Sequence, residues 1–562
     1  MSGYKITFNI TSDPWINNGT IVFVNSIREI DSIVKNVNVE SYKIEIEFND
    51  NIDVQEIGNI IHKQVGIDLI NKIFTISTPI KFINKELKSD INYSKNEDGY
   101  INYKEKITHS EEQIDILKKN NFQNRKTNEI VRVRFNFIGL KREYNKIKKK
   151  FVNWIKSALD NSVLPTEEKN KECIICSSRY SKGKTLTQTI FPTISGHHNL
   201  KAREFSATTF NLKACPKCII SGLFSLLDPK IIFSRYGKGR NKTTYLYLPI
   251  ISNFKLLEQF KSNLHIGLGI YEWKDEDFVF YNTNAKRIRN FDIWNLLLTI
   301  YCRIINNWTV EKNETQSFYQ LLLDIENEEV VKENLTHWII FDLEKAQVAS
   351  IKGKRYNINL EIFELVKSFE YEKFKRKQNS NDDNESKIIK ESICDIISRV
   401  KSPEILRIPE KIAKAVLNDD FHKFSQIFFE GYKKSKKNDI FIPISGFINY
   451  LIYYLKVKNV NLNDEDIKAI RTISYTIASA LYRDVGLISK LYNATSKLEL
   501  KRTLGEMFFR LYKRSSKEDS QSISPDKYEN ILKQINSEDW KELQSLLVSF
   551  VCIYSINKIN NE

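Results

Sequence analysis

The sequence predicts an α+β protein: a mixed N-terminal domain with a four-cysteine zinc-binding insert, followed by an all-helical C-terminal bundle. Three observations predict it. Over the first 160 residues, apolar patterns of period two interleave with patterns of helical spacing. Two CxxC pairs, Cys173-Ile-Ile-Cys176 and Cys215-Pro-Lys-Cys218, bracket an intervening loop. Beyond residue 390 glycines thin to four, and long helical periods run onward. The expected divisions are an N-terminal α+β domain (1–160), the zinc-finger insert (161–230) and the remainder of the mixed domain (231–372). A linker (373–390) and a helical bundle (391–562) complete them.

At 562 residues the chain exceeds one ordinary core, so about two to four domains are expected. A hydrophobic content of 41% and an aromatic content of 12% support buried cores. No run of about 18 apolar residues occurs, so no membrane-spanning helix is expected. Residues Met1 to Lys5 lack a charged-then-apolar signal pattern, and the expected compartment is cytoplasmic. Of the seven cysteines, Cys302, Cys394 and Cys552 stand isolated in apolar surroundings and read as buried reduced thiols. Net charge is +16, from 86 basic and 70 acidic residues, which suits a polyanionic partner. The chain is rich in Ile, Asn and Lys throughout, so where the charge sits is more informative than its sum.

Tyr4, Ile6, Phe8 and Ile10 alternate with polar residues as a half-buried strand. Thr11 to Gly19 reads as a turn, with a helix beginning near Gly19 and carrying Ile21, Val24, Ile27, Ile30 and Ile33. Tyr42, Ile44, Ile46 and Phe48 mark a second strand, and helical spacing returns over 53–70. Residues 125–150 are the sharpest basic patch. Arg125, Lys126, Arg132, Arg134, Lys141, Arg142, Lys146, Lys148, Lys149 and Lys150 face only Glu129 and Glu143. Val131, Val133, Phe135 and Phe137 alternate with Arg132 and Arg134, so a strand would carry both arginines on one face. Arginine forks suit phosphates or guanine edges; a solvated sheet face is the alternative. Tyr144 to Leu159 reads as a helix.

In the cysteine insert, each CxxC places two sulfurs on one tight turn, and two turns complete a tetrahedron around Zn²⁺. A disulfide pair and a redox CxxC are the other readings. Four thiolates leave no open position, so such a zinc is structural rather than catalytic. His197 or His198 could stand in for one cysteine. Ile219 to Leu227 follows as a short apolar helix. Arg235, Lys238, Arg240 and Lys242 surround Gly237 and Gly239 in a loop that could hold phosphates or be an ordinary hairpin tip. It precedes the strand Tyr245 to Ile250.

Lys286 to Arg289 is expected to open the helix running through Trp294 to Trp308. Lys352 to Arg355 reads as a basic turn between strand-like Trp338–Leu343 and Tyr356–Leu360. Residues 373–390 lose apolar periodicity and read as the linker. Asn463 to Asp466 is an acidic first turn before Ile467, Ile470, Ile473, Ile477 and Leu481. Ser537 is expected to cap a last helix carrying Trp540, Leu543, Leu546, Leu547, Phe550, Val551 and Tyr554. The region reads as a bundle of five or more helices.

Catalytic signatures are missing. Gly183-Lys184-Thr185 is similar to the end of a P-loop, but its first glycine would fall at Ser178. There is no HExxH, and no Ser or Cys is evidently paired with one of the scattered histidines. The chain is not expected to be an enzyme.

Two stretches carry a resemblance. A strand followed by Asp13-Pro14-Trp15-Ile16-Asn17-Asn18-Gly19, and a central insert whose second CxxC contains Pro216, resemble the zinc-finger-containing large subunit of the type I-B CRISPR Cascade surveillance complex. Asn17 stands where that family usually has Asp. The resemblance implies a subunit in antiviral defence that works beside guide RNA and target DNA. It would read the protospacer-adjacent motif on duplex DNA, aid R-loop formation and present the complex to a helicase-nuclease. Backbone and small subunits would be its protein partners, and the C-terminal bundle resembles the small subunit. On charge, the DNA contacts expected are Arg125, Lys126, Arg132, Arg134, Lys141, Arg142, Arg235, Lys238, Arg240 and Lys242. A zinc-bearing nucleic-acid-processing enzyme and a scaffold without nucleic acid are the alternatives.

Overall fold

Strand β1 (Lys5–Asn9) pairs antiparallel with β3 (Lys43–Phe48), which also pairs with β2 (Val34–Val39), giving the sheet order β1-β3-β2. The structure is a computed structural model. It describes residues 4–50, 52–72, 144–185, 213–226, 231–236, 243–268, 292–306, 318–342, 352–373, 387–435, 439–460, 462–515 and 525–561. Short pieces within 74–135, Asp228 and the two-residue strands β14 (Phe280–Tyr281) and β15 (Arg287–Ile288) are also described. The fold is mixed α+β, with small sheets and a helical C-terminal region. By contacts the chain forms two units: residues 1–280 with 320–357, and residues 281–319 with 358–562.

In the first unit, Ile6 and Phe8 lie opposite Ile46 and Ile44, all buried, so the period-two pattern becomes the core face of the sheet. Helix α1 (Pro14–Ile27) starts five residues before Gly19, where helical spacing alone put its beginning. Asp13 explains this. Its carboxylate accepts the Trp15 N–H at 2.9 Å, and Pro14 occupies the first turn, where a missing N–H costs nothing. Ile30 and Ile33 lie beyond the helix, and β2 occupies sequence with no clean alternation.

Helix α2 (Val54–Ile61) continues through a π turn (His62–Gly66) into α3 (Ile67–Lys72), as the spacing over 53–70 predicts. Short pairs β4 (Phe74–Thr75) with β7 (Arg134–Phe135), and β5 (Ile107–Thr108) with β6 (Glu129–Ile130), flank α4 (Glu111–Lys119) in sequence. Helix α5 (Tyr144–Val163) leads to the cysteine insert. After it come α6 (Pro216–Leu226), β12 (Ile232–Tyr236), β13 (Thr243–Pro249) and α7 (Phe254–Leu268).

A four-stranded antiparallel sheet, order β12-β13-β16-β17, uses β16 (His337–Asp342) and β17 (Lys352–Asn357). The basic residues 352–355, expected as a turn, are therefore strand. Their backbone groups pair with β16, Lys354 opposite Ile340 and Arg355 opposite Ile339. Aromatic rings tie the first unit together: Phe23 meets Phe8 at 5.8 Å and Phe224 at 4.9 Å, and Phe224 meets Phe151 at 5.5 Å. These rings belong to β1, α1, α6 and α5, and each such pair contributes about 0.5–1.5 kcal/mol beyond burial.

The second unit receives α8 (Ile293–Ile305), capped by Asp292, whose carboxylate accepts the Trp294 and Asn295 N–H groups. The cap sets the start, so Arg287 and Ile288 fall in a separate strand piece rather than in the helix. Helix α9 (Phe318–Leu323) and α10 (Glu328–Leu335) follow in sequence, then α11 (Ile362–Leu365). Strands β18 (Phe369–Lys373) and β19 (Lys387–Glu391) pair antiparallel, Lys373 opposite Lys387, across the segment read as a linker.

From Ser392 onward the regular elements among the described residues are helices, apart from one bridge, Lys401 to Phe441. The helices are α12 (Ile393–Ile397), α13 (Ile408–Leu417), α14 (His422–Lys434), α15 (Ile444–Val457) and α16 (Asp464–Leu481). Then come α17 (Val485–Asn493), α18 (Lys497–Ser515), α19 (Pro525–Ile535) and α20 (Trp540–Asn561). Asn463 and Asp466 form a reciprocal capping box, as the acidic first turn suggests. Ser537 does not cap α20; its hydroxyl donates to the Gln534 carbonyl, and the first α20 backbone bond runs from Leu543 to Asp539. Helix α20 buries Leu543, Leu546 and Phe550 on one side and Val548, Cys552 and Ile556 on the other, against α14, α15, α16 and α17. An apolar surface all round marks a central helix. Among the described residues no helix is long and apolar enough to cross a membrane.

Candidate metal centre

Strands β8 (Lys171–Glu172) and β9 (Arg179–Tyr180) pair as a hairpin, and the first cysteine pair sits on its turn. The Cys173 N–H donates to the Ser178 carbonyl at 3.0 Å, and the Ser177 N–H donates to the Cys173 carbonyl at 2.8 Å. Ser177 adopts φ 54°, a left-handed conformation that costs a non-glycine residue about 1–2 kcal/mol. That turn aims both sulfurs to one side.

The second pair is placed differently. Strand β10 (Lys184–Thr185) pairs with β11 (Lys213–Ala214), Lys184 opposite Ala214, which brings Cys215 beside the hairpin. The Cys215 carbonyl accepts the Ile219 N–H, so Cys215 stands at the start of α6 and Cys218 on its first turn. The helix N-terminus offers partial positive charge to thiolates.

The four Sγ atoms converge within 4.8 Å of one another, a set that could hold a metal ion. Cys173 and Cys218 are 3.8 Å apart, and Cys176 and Cys215 are 3.6 Å apart. Four sulfurs at about 2.3 Å from a central ion span tetrahedron edges of about 3.8 Å. The spacing therefore fits tetrahedral thiolate ligation. It is far longer than the disulfide length of about 2.05 Å. Cys173, Cys215 and Cys218 are buried and Cys176 is half-buried, with the exposed Ile174 between the first pair. The Cys215 N–H also donates to Cys173 Sγ at 3.3 Å.

The thiols titrate together. Hydrogen bonds from Cys173, then Cys215 and Cys218, push Cys176 far down. Cys173 falls to about 6: its contact with Cys176 raises it, and those with Cys215 and Cys218 outweigh that. Cys215 and Cys218 are pushed well up, first by Cys173 and Cys176. Four thiolates without a cation would repel one another; a central divalent ion removes that conflict.

The surroundings hold the cluster in place. Tyr180 is buried beside it, and a β-carbon on Gly183 would lie 2.2 Å from the Tyr180 ring and 2.7 Å from the Ala214 carbonyl. Gly183 thus serves close packing beside β10, which places Gly183-Lys184-Thr185 at a strand start. The buried Asn161 of α5 accepts the Ser181 N–H at 3.0 Å, and Lys217 donates to the Thr7 carbonyl at 2.7 Å.

Helix α6 then packs on α1. The Asn18 amide donates to Ser225 Oγ and to Asp228, each at 3.1 Å, and the hydroxyls of Thr20 and Ser221 bond at 2.9 Å. Lys261 pairs with Asp228 in the same buried network. Sequence reasoning missed these residues. The signal available was the small-residue spacing Ser221 to Ser225 facing Gly19. Asn17 closes the loop before α1: its oxygen accepts from the Thr11 N–H and hydroxyl, and its nitrogen donates to the Thr11 carbonyl at 2.8 Å.

His197 and His198 lie outside the described residues. So do Arg125, Lys126, Arg132, Lys141, Arg142, Lys238, Arg240 and Lys242. Arg134 is placed in β7 opposite Thr75, and Arg235 in β12 opposite Thr244. Cys302, Cys394 and Cys552 are free cysteines, as expected, with Cys302 and Cys552 buried and Cys394 half-buried; Cys302 and Cys394 are neighbours in space, their sulfurs in contact. Helical folding brings together positions 92 residues apart, which local apolar context does not reveal. No protein-family model and no curated protein matches the chain.

Proposed function

We propose that the chain is the large subunit of a type I-B CRISPR surveillance complex, with one structural Zn²⁺ held by Cys173, Cys176, Cys215 and Cys218. One observation supports this above others. The two stretches that resemble that family, 13–19 and 215–218, share one core, because α1 and α6, the helix that Cys215 leads into, pack face to face. Zinc suits four converging sulfurs at tetrahedral spacing and supplies charge neutralisation and a fixed joint. It would lock the hairpin turn to the start of α6 and so fix the α1 contact.

In this reading the protein is not an enzyme and works in the cytoplasm. Its basic residues contact duplex DNA at the protospacer-adjacent motif, while guide RNA supplies sequence recognition. Backbone and small subunits assemble with it, and a helicase-nuclease acts on the opened complex. The test is reconstitution with backbone subunits and guide RNA. Binding of matched duplex should depend on a short flanking motif, and leaving out this chain should abolish that dependence. Motif-dependent binding in its absence would overturn the proposal. Metal-dependent cleavage by the isolated chain would favour a nucleic-acid-processing enzyme instead.

A further inference from the structure

Away from the four-cysteine cluster, two more sulfurs meet. Cys302 lies near the end of α8 and Cys394 in α12, and their Sγ atoms are 2.6 Å apart. Both belong to the second unit. The cluster cysteines, spaced to share an ion, stand at 3.6 and 3.8 Å. The Cys302–Cys394 contact is much closer than that and closer than ordinary non-bonded packing, about 3.5–4.0 Å between carbons. Among the described residues the only group of three or more possible metal ligands is the four-cysteine cluster, which does not include this pair.

We propose that Cys302 and Cys394 form a reversible disulfide, closed by a peroxide, that staples α8 to α12. The elements around the pair are already fixed. Asn306 donates to the carbonyls of Cys302 and Val366 and accepts the Ser368 N–H, which anchors the end of α8. The Ser392–Asp395 capping box fixes α12. Closing the bond therefore asks the sulfurs to approach from 2.6 Å to about 2.05 Å.

The environment sets the rate. Cys302 is buried and Cys394 half-buried, which favours a small neutral oxidant. Burial pushes the Cys394 thiol well up. Arg303 is buried in the same region; burial lowers it to about 10, while charge on Cys394, Cys302 and Asp395 raises it. A neighbouring guanidinium favours the thiolate when one forms.

The chemistry balances. The Cys394 thiolate attacks one oxygen of hydrogen peroxide, the O–O bond breaks, and sulfenic acid and hydroxide form. The Cys302 sulfur then attacks the sulfenic sulfur, displacing the hydroxyl, which leaves as water with the released proton. Overall two thiols lose two protons and two electrons, and one peroxide becomes two waters. A dithiol reductant reverses the step.

The experiment treats the full, zinc-loaded chain with equimolar hydrogen peroxide, blocks remaining thiols with N-ethylmaleimide and maps peptides by mass spectrometry. A zinc-binding dye reports oxidation of the four-cysteine cluster separately. The expected result is a linked peptide pair containing Cys302 and Cys394, lost on reduction and formed before zinc release. Melting of the oxidised protein should rise by roughly 10 °C, given the long loop closed. Cys394→Ser, or Cys302→Ala should that variant not fold, should remove the shift, whereas Cys552→Ser should keep it. Separate alkylation of Cys302 and Cys394 with no linked peptide would overturn the proposal. So would an undiminished shift in the Cys394→Ser or Cys302→Ala protein.

Discussion

A β-carbon built on Gly19 would lie 1.6 Å from the backbone oxygen of Ser221. No rotamer change relieves that contact, because the obstacle is backbone. The absence of a side chain at residue 19 is what lets α1 and α6 approach, and α6 carries Cys218.

Gly19→Ala should therefore separate the helices. Overpacking of this kind costs about 1–3 kcal/mol or more. Denaturant unfolding should show the loss, and metal content should fall with it because Cys215 and Cys218 move with α6. Wild-type stability in Gly19→Ala would disprove the close approach.

Purified, reduced protein should carry one Zn²⁺ per chain by elemental analysis. Cys215→Ser should release it and destabilise the insert, since metal binding and local folding are coupled. Iron in place of zinc would keep the site and change its identity.

The buried Lys261–Asp228 pair allows a sharper test. Lys261→Met should cost about 3–5 kcal/mol by leaving a buried carboxylate without its cation. Adding Asp228→Asn should recover part of that loss. Losses in Lys261→Met and Asp228→Asn that simply add up in the double variant would show no coupling between the two side chains.

Asn17→Asp should destabilise the chain by about 1–2 kcal/mol, measured by thermal melting. The Thr11 carbonyl would face an oxygen instead of the Asn17 amide nitrogen that now donates to it. Recovery of stability at low pH, where the new carboxyl is protonated and can donate, would identify that bond as the cause.

For the proposed DNA contacts, Arg132→Ala with Arg134→Ala should lower the log–log salt slope of duplex binding by about 0.9 per lost phosphate contact. An unchanged slope and motif preference would assign both arginines to a solvated face.

The parts legible in the order of residues are those whose cause is local. Alternation at Ile6, Phe8, Ile44 and Ile46 set a sheet face, the Asn463 to Asp466 turn set a helix start, and paired CxxC turns set four converging sulfurs. Each depends on neighbours within a few residues, or on one chemistry strong enough to impose its own geometry. Local signals also misled where two of them competed. Asp13 and Pro14 start α1 ahead of the position that apolar spacing suggests, and Asp539, not Ser537, stands before α20. The remaining features come from packing between distant parts of the chain. The contact of Gly19 with Ser221, the meeting of Cys302 with Cys394 and the pairing of Lys261 with Asp228 join distant residues. Their partners are chosen by how whole helices pack, and apolar stripes specify that a face is buried without specifying against what.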